Sequence, residues 1–154
     1  MAGAVALSGN DTLNISGRIL ADFADGNVAE LKFPNKLMNL KIGKNGNAIY
    51  GFNATGQMCE MTVRVLRGQS DDQYLNTLLS AQQLNFNVTT LLTGEFIKPM
   101  GDGQGNITSD TYVLSGGAFS KIPEAVSNVE GEVSQSVTIY TIEWANSPVT
   151  RSIT

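Results

Sequence analysis

The sequence contains no histidine, and it has only one cysteine and four prolines among its 154 residues. Histidine is the usual general base of enzymes and a usual zinc ligand, so its absence also excludes Ser-His and Cys-His nucleophile pairs. A single cysteine cannot form an intrachain disulfide, which fits a reducing compartment. Cys59 falls on the apolar side of a predicted strand, where a thiol is typically inert. We therefore expect no catalytic residue, no metal site and no cofactor.

Charged residues are also scarce, because they make up 16% of the chain against roughly 25% in typical soluble domains. The net charge of −4 argues against a general nucleic-acid-binding surface. No apolar run approaches the ~20 residues of a membrane helix, and residues 1–7 lack the basic start of a signal peptide. We expect one soluble domain over residues 1–154, kept inside a cell, with a mobile arm at 1–10 and a mobile tail at 146–154.

One segment, residues 70–84, has the pattern of an α-helix. Ser70 and Gln73 have the spacing of a capping box, in which each side chain bonds the other residue's backbone N–H. Asp71 and Asp72 fall in the first turn, where the helix dipole favours negative charge. Apolar side chains at helical spacing predict one stripe that packs on a core, formed by Tyr74, Leu75, Leu78 and Leu79.

Most of the remaining chain has strand patterns, with alternating apolar residues between turn signals. The dipeptide Asn45-Gly46 predicts a tight hairpin turn, and residues 99–110 form a glycine-rich loop. The chain is thus predicted to be mostly β with one α-helix, as a sheet or sandwich with the helix packed on it. The predicted strands cover residues 12–33 (two strands), 38–42, 48–52, 59–65, 86–98, 111–114 and 133–144.

Carboxylates and the glycine-rich loop are the remaining candidates for catalysis or metal binding. Asp71 and Asp72 are neighbours, whereas a carboxylate enzyme of the glycosidase kind needs two groups held across a cleft. Residues 102–110 place oxygen side chains at every second position, as a calcium loop does. The glycine and glutamate that an EF-hand requires are Ile107 and Val113 here. A surface loop is therefore the better interpretation.

Several short segments resemble the tail tube proteins of contractile-tailed bacteriophages. Residues 17–30, GRILADFADGNVAE, resemble the opening strand, turn and strand of that family. The hairpin KIGKNGN at 41–47, the strand at 61–66 that leads into a helix, and the closing strand TIYTIEW at 138–144 are similar too. The resemblance runs from about residue 12 to residue 144, in order as well as in composition.

The resemblance implies a two-sheet β-sandwich or β-barrel of the tail tube type with a flanking helix. Six copies would form a ring, and stacked rings would form a hollow tube through which DNA is ejected without specific binding. The implied partners are further copies of the chain, the tail sheath, the baseplate and the tail terminator. The implied location is the tail of the virion, assembled in the host cytoplasm, with no enzymatic activity and no membrane.

The tube interpretation also assigns candidate residues to two surfaces. An acidic lumen would repel DNA phosphates, and its candidate carboxylates are Asp22, Asp25, Glu30, Glu95 and Glu143. Ring-to-ring contacts are expected on the arm at 1–10, on residues 34–57 and on the tail at 146–154. Within residues 34–57 the candidate contact residues are Asn35, Lys36, Lys44, Asn45, Gly46 and Asn47.

Two alternatives stay open. Related tubes occur in type VI secretion systems and contractile bacteriocins, and the sequence does not distinguish DNA from protein as the cargo. A monomeric β-sandwich that binds a sugar or a protein would use Trp144 and Tyr140 as an aromatic platform. Because both side chains fall on the same side of one strand, a core role is the better interpretation of them.

Overall fold

The computed structural model describes residues 5–7, 11–24, 26–125, 129–130 and 133–153. Within them the chain forms one α-helix, α1 (Ser70–Leu84), and three short 3-10 helices at Ala54–Gln57, Phe86–Val88 and Val133–Ser136. The remaining regular structure is β, which confirms the predicted class. The strands are β1 (Ala6–Leu7), β2 (Thr12–Ile15), β3 (Arg18–Ile19), β4 (Ala29–Lys32), β5 (Met38–Ile42), β6 (Ala48–Phe52), β7 (Cys59–Leu66), β8 (Leu92–Gly101), β9 (Ile107–Lys121), β10 (Val137–Asn146) and β11 (Val149–Ile153).

Nine of these strands form one antiparallel sheet, and β5 and β6 form a separate hairpin. The sheet order is β3-β2-β8-β9-β10-β7-β4, with β1 added beside β8 and β11 beside β9. The chain between β3 and β4 runs along β7, where Leu66 donates its N–H to the Asp22 carbonyl over 3.0 Å. Ala24 likewise donates to the Arg64 carbonyl over 3.1 Å. The chain thus passes from one end of the strand order to the other.

One hydrophobic core lies on one face of the sheet, with α1 packed against it. Alternation along β7 and β10 produces this face, because every second residue points to the same side of a strand. Trp144 is fully buried and Tyr140 is 1% exposed, which fits their predicted core role. The helix contributes buried Leu75 and Leu79, while Tyr74 and Leu78 pack against the core from partly buried positions.

The start of α1 differs from the predicted capping box. Gln69 is the N-cap and makes no side-chain cap, so Ser70 is already the first residue inside the helix. The Asp72 side chain closes the turn before the helix instead, because Gly68 donates its N–H to Asp72 Oδ2 over 2.8 Å. Gln73 Nε2 in turn donates to the Gly68 carbonyl over 3.1 Å. The predicted helix bounds were correct, but the predicted capping pair was wrong.

The predicted loop at 99–110 is mostly strand. β8 and β9 extend into it from both sides, so that only residues 102–106 form the connection. Asp102 organises this turn, because its Oδ1 accepts the N–H groups of Gln104 over 2.7 Å and of Asn106 over 3.1 Å. The Asn106 side chain, whose Nδ2 donates to Asp102 Oδ2 over 2.9 Å, and then these backbone N–H groups hold the pKa of the Asp102 carboxyl below its ordinary value. Long pairing between the two strands outweighs the local glycine and proline signals.

The predicted strand at 111–114 ends too early, since β9 continues through Gly116 and Gly117 to Lys121. Gly117, within this strand, makes room for the core. A β-carbon on Gly117 would lie 2.4 Å from the Trp144 ring and 3.0 Å from the Leu92 side chain. The absence of a side chain at Gly117 therefore leaves the space that the Trp144 indole occupies.

Both ends of the chain contribute strands. In the predicted arm, Ala6 pairs with Gly101 and Leu7 with Met100, while residues 1–4 and 8–10 lie outside the described residues. The predicted mobile tail forms β11, which pairs with residues 108–112 of β9. Strand pairing uses backbone groups and needs no apolar side chain, so the polar composition of the tail concealed this strand.

Candidate functional site

The hairpin of β5 and β6 contributes no residue to the hydrophobic core. All ten residues of its two strands are exposed. Its turn is closed by Gly46, which has a φ of +83° and donates its N–H to the Gly43 carbonyl over 3.0 Å. The neighbouring bond from Gly43 N–H to the Asn47 carbonyl is 2.7 Å. The Asn45-Gly46 dipeptide thus forms the tight turn that its sequence predicts.

One face of this hairpin is apolar along its whole length. Directly paired residues of an antiparallel ladder point to the same side, and the pairs on this face are Met38 with Phe52, Leu40 with Tyr50 and Ile42 with Ala48. We call these six residues the hairpin strip. The opposite face carries the pair of Lys41 and Ile49. A two-stranded hairpin alone is marginal in water, and an exposed apolar face of this length is typical of an interaction surface.

The base of the hairpin is firmly held by asparagines. Asn35 Nδ2 donates to the Thr55 carbonyl over 3.2 Å, and Asn53 Nδ2 donates to the Lys36 carbonyl over 2.9 Å. Gly56 fits closely against this base, because a β-carbon there would lie 2.4 Å from the Leu37 Cα. The hairpin therefore projects from an ordered support, which lowers the entropy cost of binding a partner.

An apolar groove of about 500 Å³ lies beside this base. The main apolar side chains that line it are Phe33, Leu37, Phe52 and Pro148. Phe33 also stacks with Tyr112, with ring centroids 6.2 Å apart. The groove continues the hairpin strip through Phe52, so strip and groove form one extended apolar surface.

The predicted ring-contact residues fall at two places on the hairpin. Asn35 and Lys36 lie at its base, and residues 44–47 form its tip. The segment 33–58 contains three lysines and no acidic residue. Because the whole chain carries −4, the rest of the chain carries −7. The hairpin is thus a basic, apolar element on an acidic subunit.

A second exposed apolar surface follows α1. Four exposed apolar residues lie close together in the sequence here, Leu84, Phe86, Val88 and Leu91, and we call them the α1-end patch; Leu84 is 88% exposed. A groove of about 170 Å³ lies next to it, between α1 and β9. We call this the α1–β9 groove, and its lining residues are Leu79, Gln82, Gln83, Phe86, Phe119, Ser120, Lys121 and Ile122.

Two of the predicted lumen carboxylates share a face of the sheet. Glu143 alternates with buried residues of β10, and Glu30 alternates with Ala29 and Leu31, which are partly buried against the core, so both glutamates point away from the core. Between them on β7 lies Glu60, which is directly opposite Glu143. Lys32 lies opposite Glu60 on the other side. Like charges placed directly opposite each other are destabilising, so the Glu60–Glu143 pair makes this face a candidate functional surface.

The other predicted lumen carboxylates are dispersed. Glu95 is exposed on β8, opposite Val113 of β9. Asp22 lies in the segment between β3 and β4, where its N–H donates to Asp71 Oδ2 over 2.6 Å. Asp25 lies outside the described residues. The structure therefore brings together Glu30 and Glu143 but not the whole set.

The residues considered for catalysis have structural surroundings. Burial raises the pKa of the Cys59 thiol to about 11, so this buried thiol stays protonated at neutral pH. Burial alone would raise the pKa of Asp71. The N–H groups of Asp22 and Ala21 and the guanidinium of Arg18 lower it by more than burial raises it, so the pKa lies below its ordinary value. Within the described residues, no three acidic or thiol side chains cluster to hold a metal ion. None of the helices there combines the length and apolar character that a bilayer crossing requires.

Sequence reasoning missed the two exposed apolar surfaces and Glu60. The alternation of Met38, Leu40 and Ile42 was visible, but alternation alone does not say whether a face meets a core or solvent. No protein-family model matches the chain, and no curated protein matches it. The function is therefore argued from these surfaces and from the resemblance described above.

Proposed function

We propose that this chain is a tail tube subunit, a structural virion protein that forms hexameric rings which stack into the inner tube of a contractile tail and conduct DNA during ejection. The observation that carries the proposal is the hairpin strip, which is apolar, in register and exposed. The core is complete without it. A surface of this kind needs an occupant, and in a tube the occupant is another copy of the chain.

The sheet also supports a subunit that joins its neighbours. In the proposal it is the two-sheet sandwich or barrel of the tube family, with α1 as the flanking helix. The strand order ends at β3 and β4, and the segment between them runs along β7. Strand edges left open in one subunit carry unpaired N–H and C=O groups, which pairing with adjacent copies would satisfy.

In the proposal, the face of the sheet that points away from the core lines the lumen. Glu30, Glu60 and Glu143 lie on neighbouring strands and point away from the core. On these three strands the face carries three carboxylates and two cations, Lys32 and Arg64, and the excess of negative charge would disfavour adhesion of DNA phosphates. In this proposal Glu60 joins the lumen set. The tail sheath, the baseplate and the tail terminator would bind the outside and the ends of the tube.

The cargo depends on the system. The same assembly would serve a type VI secretion or bacteriocin tube, in which the cargo could be protein in place of DNA. A monomeric ligand-binding module has less support, because its proposed platform residues Trp144 and Tyr140 are buried. Their rings could not contact a ligand without unfolding of the sheet.

Electron microscopy of the purified protein tests the proposal. We expect rings or tubes for the unaltered chain at high concentration. Changing both Leu40 and Tyr50 to Ser removes the centre of the hairpin strip and should leave particles of single-subunit size. The matched control changes Lys41 and Ile49, the adjacent pair on the opposite face, to Ser.

The control should still assemble, since its side chains point away from the strip. Sedimentation velocity would confirm the particle sizes in solution. An unaltered chain that stays monomeric at every concentration would contradict the proposal. Equal loss of assembly in both double variants would show that the strip is not the contact.

A further inference from the structure

The hairpin strip and the α1-end patch differ in charge as well as in position. The hairpin segment is basic, with Lys36, Lys41 and Lys44 and no carboxylate. Residues 73–94, which include most of α1 and the whole patch, contain no charged side chain. Two hairpins packed strip to strip would join two positively charged segments with no carboxylate in either, which disfavours a symmetric contact.

The end of α1 offers a negative electrostatic counterpart. The last carbonyls of a helix carry about half an elementary negative charge, and basic side chains commonly neutralise it. The last turn of α1 has no basic residue. One carbonyl, that of Ala81, accepts the Thr89 hydroxyl over 3.0 Å. A lysine-bearing element would be favoured at this end of the helix.

The α1–β9 groove beside the patch is already formed. Gln82 is 5% exposed and ties the helix to β9 with both ends of its amide. Its Nε2 donates to the Gly117 carbonyl over 3.3 Å, and its Oε1 accepts the Phe119 N–H over 2.9 Å. The two walls of the groove are therefore held in place before any partner arrives, which lowers the cost of binding.

The groove has the size of one aromatic ring. Its volume is about 170 Å³, and an apolar cavity of roughly 150 Å³ accommodates benzene. Tyr50 is the aromatic residue at the centre of the hairpin strip, and it is 66% exposed. Lys121 at the edge of the groove is suited to a cation–π contact with such a ring. Central tyrosines that enter a preformed pocket often dominate the energy of an interface.

We infer that the hairpin strip of one copy docks on the α1-end patch of another copy, with Tyr50 in the α1–β9 groove. This inference rests on the proposed function. The contact joins two different surfaces of the same chain, so each copy has one hairpin to give and one groove to receive. Such a heterologous contact leads to rings or open stacks and not to closed pairs.

Cysteine cross-linking between copies tests the contact directly. The only native cysteine, Cys59, is fully buried and does not compete. A Leu40→Cys protein is mixed with a tagged Gln83→Cys protein, assembled and oxidised, and the products are separated on a non-reducing gel. Leu40 lies opposite Tyr50 on the strip, and Gln83 lines the groove. The control replaces Leu40→Cys with Ile49→Cys on the opposite face.

We expect disulfide-linked pairs of the Leu40 and Gln83 variants and few pairs in the Ile49 control. Assembly that persists while Leu40→Cys couples mainly to itself would overturn the inference and leave the proposed function standing. Assembly without coupling at Gln83 would do the same. Complete absence of rings or tubes from the unaltered chain would overturn both.

Substitutions at Tyr50 provide a second measurement. Tyr50→Phe keeps the ring and should assemble normally. Tyr50→Ala empties the groove and should raise the protein concentration needed for half-assembly by about 30-fold. Ile49→Ala, which removes an equally exposed side chain from the other face, should leave that concentration unchanged. Equal effects of Tyr50→Ala and Ile49→Ala would contradict the assignment of the ring to the groove.

Discussion

Asp71 is 1% exposed at the start of α1, and its carboxylate joins three parts of the chain. Its Oδ2 accepts the N–H groups of Ala21 over 2.5 Å and of Asp22 over 2.6 Å, and its Oδ1 accepts Arg18 Nε over 2.9 Å. Arg18 also lies over the Tyr74 ring, 5.3 Å from its centroid. From the sequence, Asp71 only complements the helix dipole. Its partners some 50 residues earlier were not predictable, because they depend on where the tertiary fold places β3 and the following segment relative to α1.

The buried carboxylate predicts an acid-sensitive component of stability. Because its folded pKa is below the ordinary 3.8, Asp71 stabilises the fold above that pH, and this contribution is lost as the pH falls through the lowered pKa. Asp71→Asn should reduce the free energy of unfolding by roughly 1.5–3 kcal/mol at neutral pH. Urea titrations at pH 7 and below pH 3 would measure both values, and the gap between variant and unaltered chain should narrow in acid. A gap independent of pH would contradict this role.

At the scale of elements, α1 has one face that packs on the hydrophobic core and one end that is exposed. Leu75 is fully buried against the core, whereas Leu84 in the last turn is exposed. The sequence pattern predicted the helix bounds and the stripe that contains Leu75. It could not show that Leu84 and Phe86 face solvent, because the same apolar residues would suit a core.

The two leucines provide a matched test of this division. Leu75→Ala should lower the free energy of unfolding by about 2–5 kcal/mol, because it removes buried contacts and leaves a cavity. Leu84→Ala should change it by less than about 0.5 kcal/mol, since leucine and alanine are both good helix formers at an exposed site. Thermal or urea unfolding measures both. Similar losses would indicate that Leu84 is buried in the subunit and not on a docking surface.

At the scale of the whole molecule, the core and the hairpin proposed for assembly are separate parts. The core consists of the nine-stranded sheet and α1, and the hairpin strands pair only with each other. The base is closed by Asn53, which donates its N–H to the Leu37 carbonyl over 2.8 Å. The subunit should therefore fold with or without the residues beyond this base.

Replacing residues 38–52 with a short Gly-Ser linker tests this separation. The free energy of unfolding should change by no more than about 1 kcal/mol, because the loop is shortened and no core contact is removed. Rings and tubes should be lost at the same time. Circular dichroism with urea titration measures the first effect and electron microscopy the second. An unfolded deletion variant would show that the hairpin belongs to the core.

The sequence by itself determined the secondary structure wherever a local signal was strong. Residues 70–84 form the helix, and the Asn45-Gly46 hairpin forms between the predicted strands, because periodicity and turn chemistry act over a few residues. The tertiary structure decided which apolar residues are buried. Trp144 is covered because Gly117 lies on a neighbouring strand, while the equally apolar hairpin strip meets no such surface within the subunit. Burial depends on partners distant in the chain, which local patterns do not specify.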